Sequence, residues 1–298
     1  MKGILLAGGT GSRLHPLTLA VNKHLLPVAG TPMIFHPLAL LLRAGVRDLL
    51  VVTTPRDRPA FEQLLGDGGQ WGVTIAYAEQ QAPSGVPQAL GLARTWSAGQ
   101  PVVVALGDNI FVGGGVTAVV RAAWQSHPDA RIFSYAVADP RSYGVVITTP
   151  QGGIVDLVEK PTDPAVGARA VPGLYVYGAQ VFAAIDEVCG HPGRQADVTD
   201  LNRWFWTRGL LTVTPLAADV GWCDAGTHET LAQAVAMVER AEARTGRMVT
   251  CPEEIAWEHG WISDAQVRQR LPNLGSGPYG EYLRRVLAKG RSGAATVS

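Results

Sequence analysis

Backbone amides, cations and carboxylates are the groups that hold and neutralise phosphate, and this chain carries all three. An apolar run, Gly3-Ile4-Leu5-Leu6-Ala7, enters Gly8-Gly9-Thr10-Gly11-Ser12-Arg13-Leu14. Lys23 follows ten positions after Arg13, in Asn22-Lys23-His24-Leu25-Leu26-Pro27. Glycines let the backbone approach phosphate closely and aim N–H groups at it. Arg13 and Lys23 would neutralise the oxygens. The combination predicts a nucleoside triphosphate held by backbone and closed over by two cations. A dinucleotide loop needs a third glycine where Leu14 stands. A P-loop needs Gly-Lys followed by Ser or Thr, and no glycine here has that sequel. Taken alone, the pattern is equally a tight turn between strand and helix.

The acidic candidates are Asp108 and Asp224. Asp108 follows the apolar run 102–106 and Gly107, so its carboxylate belongs at the mouth of a sheet. Asp224 lies between Trp222-Cys223 and Gly226. Two carboxylates meeting at a triphosphate suit Mg²⁺, which takes oxygen ligands and phosphates. Spacing alone favours local roles: Asp108 as a turn former before Asn109, Asp224 as a cap on the next helix. Glu159-Lys160-Pro161 ends another run. Neighbours on an ideal strand point to opposite faces, so both could reach one ligand only where the strand breaks, and Pro161 supplies a break. An exposed Glu-Lys edge explains the pair equally well.

These groups need a scaffold. The chain has 298 residues, 47% hydrophobic and 17% charged, which marks a folded protein and not a disordered one. Lys plus Arg balance Asp plus Glu at 25 each, which argues against a nucleic-acid-coating surface. Three scattered cysteines, Cys189, Cys223 and Cys251, fit neither a disulfide framework nor a zinc spacing. The N-terminal apolar run is too short for a signal-peptide core, and no run approaches a membrane span. A soluble, cytoplasmic protein with no membrane partner is expected.

Strands are expected at 4–7, 49–53, 73–77 and 102–106, with helices at 33–44, 59–65 and 86–96. Buried strands separated by helices imply a parallel, doubly wound sheet, whose ligands gather at the carboxyl ends of the strands. The middle is richer in strands: 131–138, 143–148, 154–159, 170–177 and 211–216, around a helix at 199–208. From 227 the pattern is helical, at 227–244, 252–258, 263–270 and 278–287. The last six residues are small and polar and are expected to fray. Trp204-Phe205-Trp206, at helical spacing, reads as core, as do Tyr143 and Tyr175 on composition alone.

Several motifs occur in one order: 6–14, Lys23-His24-Leu25-Leu26-Pro27, Leu106-Gly107-Asp108-Asn109, Tyr143-Gly144-Val145-Val146, Glu159-Lys160-Pro161 and Asp224-Ala225-Gly226-Thr227. Residues 64–72 and 251–256 add to the set. The chain resembles the sugar-nucleotide pyrophosphorylases, most closely the glucose-1-phosphate thymidylyltransferases, from Lys2 to about Leu287. The resemblance implies an α/β fold: a doubly wound, mostly parallel, Rossmann-like sheet with inserted sugar-binding strands and a C-terminal helical appendage. It divides the chain into a core over 1–245, with a nucleotide half at about 1–110 and a sugar half at about 111–226, and an appendage over 246–298.

It implies a reaction too. A sugar-1-phosphate, foremost glucose-1-phosphate, attacks the α-phosphorus of dTTP, giving a dTDP-sugar and pyrophosphate with Mg²⁺ as cofactor. Such chemistry rests on positioning and charge neutralisation. Alternatives are UTP, another sugar- or cyclitol-1-phosphate, or a non-catalytic regulatory relative. By resemblance, catalysis falls to Arg13, Lys23, Asp108, Lys160 and Asp224, and the metal to Asp108 and Asp224. Nucleotide contacts fall to Leu6, Gly8, Gly9, Thr10, Gly11, Ser12, Gln80, Pro83, Gly85 and Asp108. Sugar-phosphate contacts fall to Asn109, Tyr143, Gly144, Glu159, Lys160, Val171, Tyr175 and Gln195. A homotetramer with a dTDP-sugar feedback site is implied, and nine apolar residues between Ile255 and Val286 would then cover a neighbouring subunit.

Two positions depart from the family pattern. His24 stands where glutamine is expected, and Gln195 where a sugar-binding glutamate is expected, with Arg194 or Asp197 as alternative contacts. An amide at Gln195 would weaken the grip on glucose hydroxyls before it altered phosphoryl chemistry.

Overall fold

The structure is a computed structural model and describes residues 1–113, 115–163, 169–190 and 195–290. Arg194 and the small polar tail at 293–298, which the sequence suggests would fray, lie outside the described residues. In chain order the regular elements are β1 (Lys2–Leu6), β2 (Pro27–Val28), β3 (Thr31–Pro32), α1 (Phe35–Arg43), β4 (Asp48–Thr53), α2 (Arg58–Leu65) and β5 (Thr74–Glu79). Then come α3 (Val86–Gly91), α4 (Arg94–Ser97), β6 (Val102–Leu106), β7 (Asn109–Val112), α5 (Gly115–Gln125), β8 (Ala130–Ala136), β9 (Gly144–Thr148), β10 (Ile154–Glu159), β11 (Arg169–Ala170) and β12 (Leu174–Tyr177). The last are α6 (Val181–Cys189), α7 (Val198–Trp206), β13 (Leu211–Pro215), β14 (Gly221–Asp224), α8 (His228–Thr245), α9 (Pro252–Glu258), α10 (Asp264–Arg270) and α11 (Pro278–Lys289).

The main sheet runs β10-β9-β11-β8-β12-β6-β1-β4-β5, with β13 beside β8. Its N-terminal half is parallel: β1 pairs with β4 and β6, and β4 with β5. Crossover helices make that arrangement and cover both faces. The inserted strands pair mostly antiparallel, through β12 on β6 and β8, and β10 on β9, while β13 runs parallel to β8. The α/β class and the C-terminal helices expected from the sequence are both present.

Period-2 alternation divides β1 between two cores. Leu5 and Ala7 face α1, α5 and the C-terminal helices, whereas Ile4 and Leu6 face α3, α6 and α7. Each fully buried aliphatic residue of this kind stabilises by about 1.5–3 kcal/mol. A third, smaller core of Leu14, Leu26, Val28, Met33, Ile110 and Ala225 packs under α8 and braces the functional loops.

The expected helix at 86–96 is two helices, α3 and α4, and the expected strand at 170–177 breaks at Val171-Pro172-Gly173 into β11 and β12. The break serves a close approach: a Cβ on Gly173 would lie 2.7 Å from Asn109 Nδ2. The apolar residues of the appendage also find a different explanation from the one expected. Ile255, Trp257, Ile262, Val267, Tyr282 and Leu283 are buried in the same core as α1. Their apolarity is satisfied within the chain and gives no reason for a subunit contact.

Candidate active site

The carboxyl ends of β1 and β6 set the floor of the site. The β1 backbone continues to Ala7, whose N–H donates to Val52 O at 2.7 Å. The chain then turns through Gly9 (φ 95°) and Gly11 (φ 62°), left-handed conformations that suit glycine. Thr18 Oγ1 donates to Gly11 O at 2.7 Å and pins the loop. Leu14 is fully buried and anchors its far end, leaving Thr10, Ser12 and Arg13 exposed.

The two acids meet because β7 and β14 pair antiparallel, with Asp224 opposite Asn109 and Ala225 N–H donating to Asp108 O at 2.9 Å. Lys23 Nζ is bonded to Asp108 Oδ2, and both side chains are mostly buried. Asn109 Nδ2 donates to Asp108 Oδ1 at 3.0 Å. Burial pushes the Asp108 carboxyl up, but Lys23, His24 and Asn109 together offset it and hold the group well below the usual carboxylate range. Asp224 behaves oppositely: burial, then the Asp108 charge, raise it to about 6 against the pull of Lys23 and Arg13. Its Oδ1 is buried without a hydrogen-bond partner. A Cβ on Gly226 would lie 2.7 Å from both Arg13 Nη2 and Asp224 Oδ1, so Arg13 and Asp224 flank that glycine. Five of the expected polar groups, Arg13, Lys23, Asp108, Asn109 and Asp224, thus converge at one end of the sheet.

A second cluster adjoins the first. Glu159 Oε2 accepts from Thr199 Oγ1 at 2.6 Å. A Cβ on Gly144 would sit 2.8 Å from that hydroxyl and 2.9 Å from Glu159, so a side chain there would push the Thr199–Glu159 pair apart. Lys160 breaks the strand itself, at φ 44°, ahead of Pro161. Its N–H donates to Tyr143 O at 3.0 Å and its exposed ammonium lies 3.5 Å from Glu159, a loose pair that leaves it free to turn to a ligand. Val171 N–H donates to Gly144 O at 2.8 Å. Tyr175 is buried and stacked on Tyr177, and burial followed by the Glu159 charge raises its phenol.

Gln80 and Gln195 occupy places that spacing alone did not indicate. Gln80 Nε2 donates to Gly85 O at 3.1 Å and to Gln88 Oε1 at 2.7 Å, so its two amide protons are engaged inside the chain. Gln195 does not join Glu159. Its Nε2 donates to Pro83 O at 3.0 Å, and a Cβ on Gly85 would meet Ala196 O at 2.5 Å. The 195–196 segment therefore braces the Pro83–Gly85 loop. Asp197 lies nearer Glu159: burial, its own neighbour Asp200 and the Glu159 charge raise its carboxyl against a bond from the Asp200 N–H.

Sequence reading missed three members. Trp222 Nε1 donates to Asn109 Oδ1 at 2.8 Å, and its ring lies 5.0 Å from Tyr143. Thr199 reads as a helix-start residue, which hides its bond to Glu159. Asn22 accepts from His24 N at 3.0 Å and donates to Asp57 Oδ2 at 2.8 Å. An Asn immediately before the lysine expected at the phosphates was the available signal. Cys223, beside Asp224, is half-buried with its thiol 3.2 Å from Thr230 O.

Residues 2–241 match the family described as nucleotidyl transferase. The chain belongs to the nucleotidyl transferase family. It is 42% identical over 289 residues to a glucose-1-phosphate thymidylyltransferase of Xanthomonas campestris pv. campestris, covering 97% of this chain and 98% of the relative. It is 41% identical over 289 residues to the Mycobacterium tuberculosis protein of that name, covering 97% and 100%. Among solved structures, a Bacillus anthracis chain assigned as a glucose-1-phosphate thymidylyltransferase, in complex with a sucrose, matches with TM-score 0.74 and 37% identity over 80% of this chain and 94% of that one. A UDP-glucose pyrophosphorylase complexed with UDP-glucose shares the fold, with TM-score 0.71 at 20% identity over 80% and 98%. In this nucleotidyl transferase no described helix is long and apolar enough to cross a membrane.

Proposed function

We propose that this nucleotidyl transferase moves a thymidylyl group from dTTP to glucose-1-phosphate, giving dTDP-glucose and pyrophosphate. The convergence of Arg13, Lys23, Asp108 and Asp224 beside the glycine loop carries the reading. Near-full-length similarity to named glucose-1-phosphate thymidylyltransferases supports the choice of substrates.

Loop N–H groups and Arg13 would take the β- and γ-phosphates, where charge accumulates as pyrophosphate leaves. Lys23 would be shared between Asp108 and the triphosphate. Lys160 would hold the sugar phosphate, and Glu159, held by Thr199, would accept from sugar hydroxyls. The sugar-phosphate oxygen then bonds to the α-phosphorus as the bond to pyrophosphate breaks, with no protein nucleophile.

Asp108 and Asp224 fit a divalent cation, which the family generally uses, and Mg²⁺ is the ion proposed. Asp224 Oδ1 is a buried oxygen without a partner, and two oxygen donors leave the remaining positions to phosphate and water. Bound there, Mg²⁺ would neutralise α-phosphate charge in the transition state.

Domain division at 245/246 is part of the reading. It is supported by Gly246, which ends α8 at φ 66°, though the appendage shares a core with α1. The homotetramer and the dTDP-sugar feedback site that the resemblance implies belong to it as well. Light scattering at micromolar concentration tests the assembly.

The deciding experiment incubates the purified protein with Mg²⁺, dTTP or UTP, and a panel of sugar-1-phosphates, following pyrophosphate release. The expected best pair is dTTP with glucose-1-phosphate. dTTP differs from UTP by a methyl on the base and by the missing ribose 2′-hydroxyl, so a preference of about tenfold or more is expected. No dTDP-glucose under these conditions overturns the assignment.

A further inference from the structure

A polar relay beneath Lys23 takes no part in the chemistry above, yet it ties that lysine to three separate elements. Asn22 is nearly inaccessible, and all of its amide is engaged. Its Nδ2 donates to Asp57 Oδ2 at 2.8 Å and to Ala7 O at 3.3 Å; its Oδ1 accepts from His24 N at 3.0 Å and lies 2.8 Å from His24 Nδ1. Because the amide nitrogen faces two acceptors, the oxygen faces His24, which makes Nδ1 the protonated nitrogen of a neutral ring. Asp57 Oδ2 also accepts from Thr54 Oγ1 at 2.9 Å, which fixes the relay to the end of β4.

The opposite edge of the His24 ring lies against Gly107. A Cβ there would come within 2.6 Å of Cδ2 and 3.0 Å of Nε2. Gly107 N–H in turn donates to Leu6 O at 2.9 Å. One flat ring therefore separates the Lys23 turn from the backbone that carries Asp108. A lysine has four rotatable bonds and would otherwise choose among many rotamers, at an entropic cost on every binding event.

We propose that Asp57, Asn22 and His24 are positioning residues that hold Lys23 at a fixed distance from Asp108 and so preset it for the triphosphate of a nucleotide. Their effect should pass through Lys23 alone. The inference rests on the proposed function for the identity of the nucleotide, and on the geometry for the relay. His24, a departure from the expected glutamine, then acts as a spacer.

A double-mutant cycle tests it. Asp57→Ala, His24→Leu and Lys23→Ala are made singly, and the first two are each combined with the third. Two readouts are used: kcat/KM for dTTP with glucose-1-phosphate, and dTTP binding by calorimetry in EDTA, which needs neither turnover nor metal. Thermal melting checks that each variant is folded. In the parent background Asp57→Ala and His24→Leu should each weaken both readouts by about tenfold, the loss of one buried bond to a charged or positioned group. In the Lys23→Ala background both effects should shrink to about twofold or less. His24→Gln, whose amide can still donate to Asn22, should recover most of the loss. Equal losses with and without Lys23 overturn the relay and leave a general packing role. If His24→Leu does not fold, the Asp57→Ala cycle decides by the same criterion. A parent that binds dTTP but makes no dTDP-glucose refutes the substrate assignment, and the binding cycle still decides on the relay.

Discussion

Replacing Asp224 with Asn should stabilise this protein while abolishing most of its activity. In the metal-free state Asp224 is a buried carboxyl beside the ionised Asp108, and its pKa is raised from 3.8 to about 6, first by burial and then by that charge. The folded protein therefore holds the Asp224 proton more tightly than the unfolded chain. Stability from this group is present below about pH 4 and is lost as pH rises through about 6. A displacement of about two pKa units corresponds to about 3 kcal/mol. Part of that belongs to the pair and not to Asp224, so about 1–3 kcal/mol is the expected cost at pH 8. Asn keeps the shape and removes the charge. In EDTA at about pH 8 the variant should melt at least about 2 °C above the parent. At about pH 4.5 the gap should narrow, because the parent is then largely protonated at this site. Adding Mg²⁺ and dTTP should reverse the order, since the metal–nucleotide pair binds the folded parent more tightly and raises it more than the variant. Turnover should fall at least about 10²-fold, as expected for one strong electrostatic stabiliser. A variant no more stable than the parent at pH 8 in EDTA, or a gap independent of pH, refutes the argument from like charges. Unchanged turnover at limiting Mg²⁺ removes Asp224 from the site.

Arg13→Ala should lower kcat far more than it raises KM for glucose-1-phosphate, because charge builds on the leaving pyrophosphate. A change confined to that KM moves Arg13 to the other substrate. Gln195→Glu sets a carboxylate against Pro83 O in place of a donor, so KM for dTTP should rise, by about threefold or less at this exposed place, with sugar preference unchanged; a shift in preference among glucose-, galactose- and N-acetylglucosamine-1-phosphate returns Gln195 to the sugar side. Gly144→Ala forces a methyl within 3 Å of Thr199 and Glu159 and should cut glucose-1-phosphate efficiency about tenfold or more, while dTTP binding in EDTA holds. Glu253 is buried and accepts from Trp71, Arg270 and Tyr279, so Glu253→Ala should lower unfolding free energy by about 3 kcal/mol in urea, through the stranded donors.

Local patterns made the parallel half legible. β1, β4, β5 and β6 are apolar runs with helices between them, and their carboxyl ends carry the glycine loop and Asp108 as the topology requires. Short or exposed elements were harder. β7 and β14 span four residues each and flank glycines, so neither stands out, yet their pairing is what sets Asp224 opposite Asn109. The helices α5 and α6 went unread between better-marked strands. Gln195 lies in a stretch that resembles a sugar-binding segment, and its bond to Pro83, 112 residues away, leaves no mark in the local sequence.

The charges of the site follow from where the chain lets carboxylates meet cations. Asp108 is held ionised because Lys23 reaches it from a turn built on Asn22, and Asp224 is raised by burial and by the Asp108 charge, with its inner oxygen unbonded. A site with every charge paired internally would be more stable but would have no charge left over for a substrate. Here the imbalance is localised: one carboxyl is paired with Lys23, the other leaves Oδ1 without a partner, and Arg13 stands exposed across Gly226. On the proposed function, a triphosphate with a divalent cation would supply both missing signs at once, cation to Asp224 and phosphate to Arg13. Either one alone leaves a charge uncompensated. Binding of dTTP and Mg²⁺ should therefore be mutually reinforcing, and the Asp224→Asn protein should lose that reinforcement while retaining metal-free dTTP binding through Arg13 and Lys23. Calorimetric titrations of dTTP at several Mg²⁺ concentrations measure it, and equal coupling in parent and variant would show that the cation is held without Asp224.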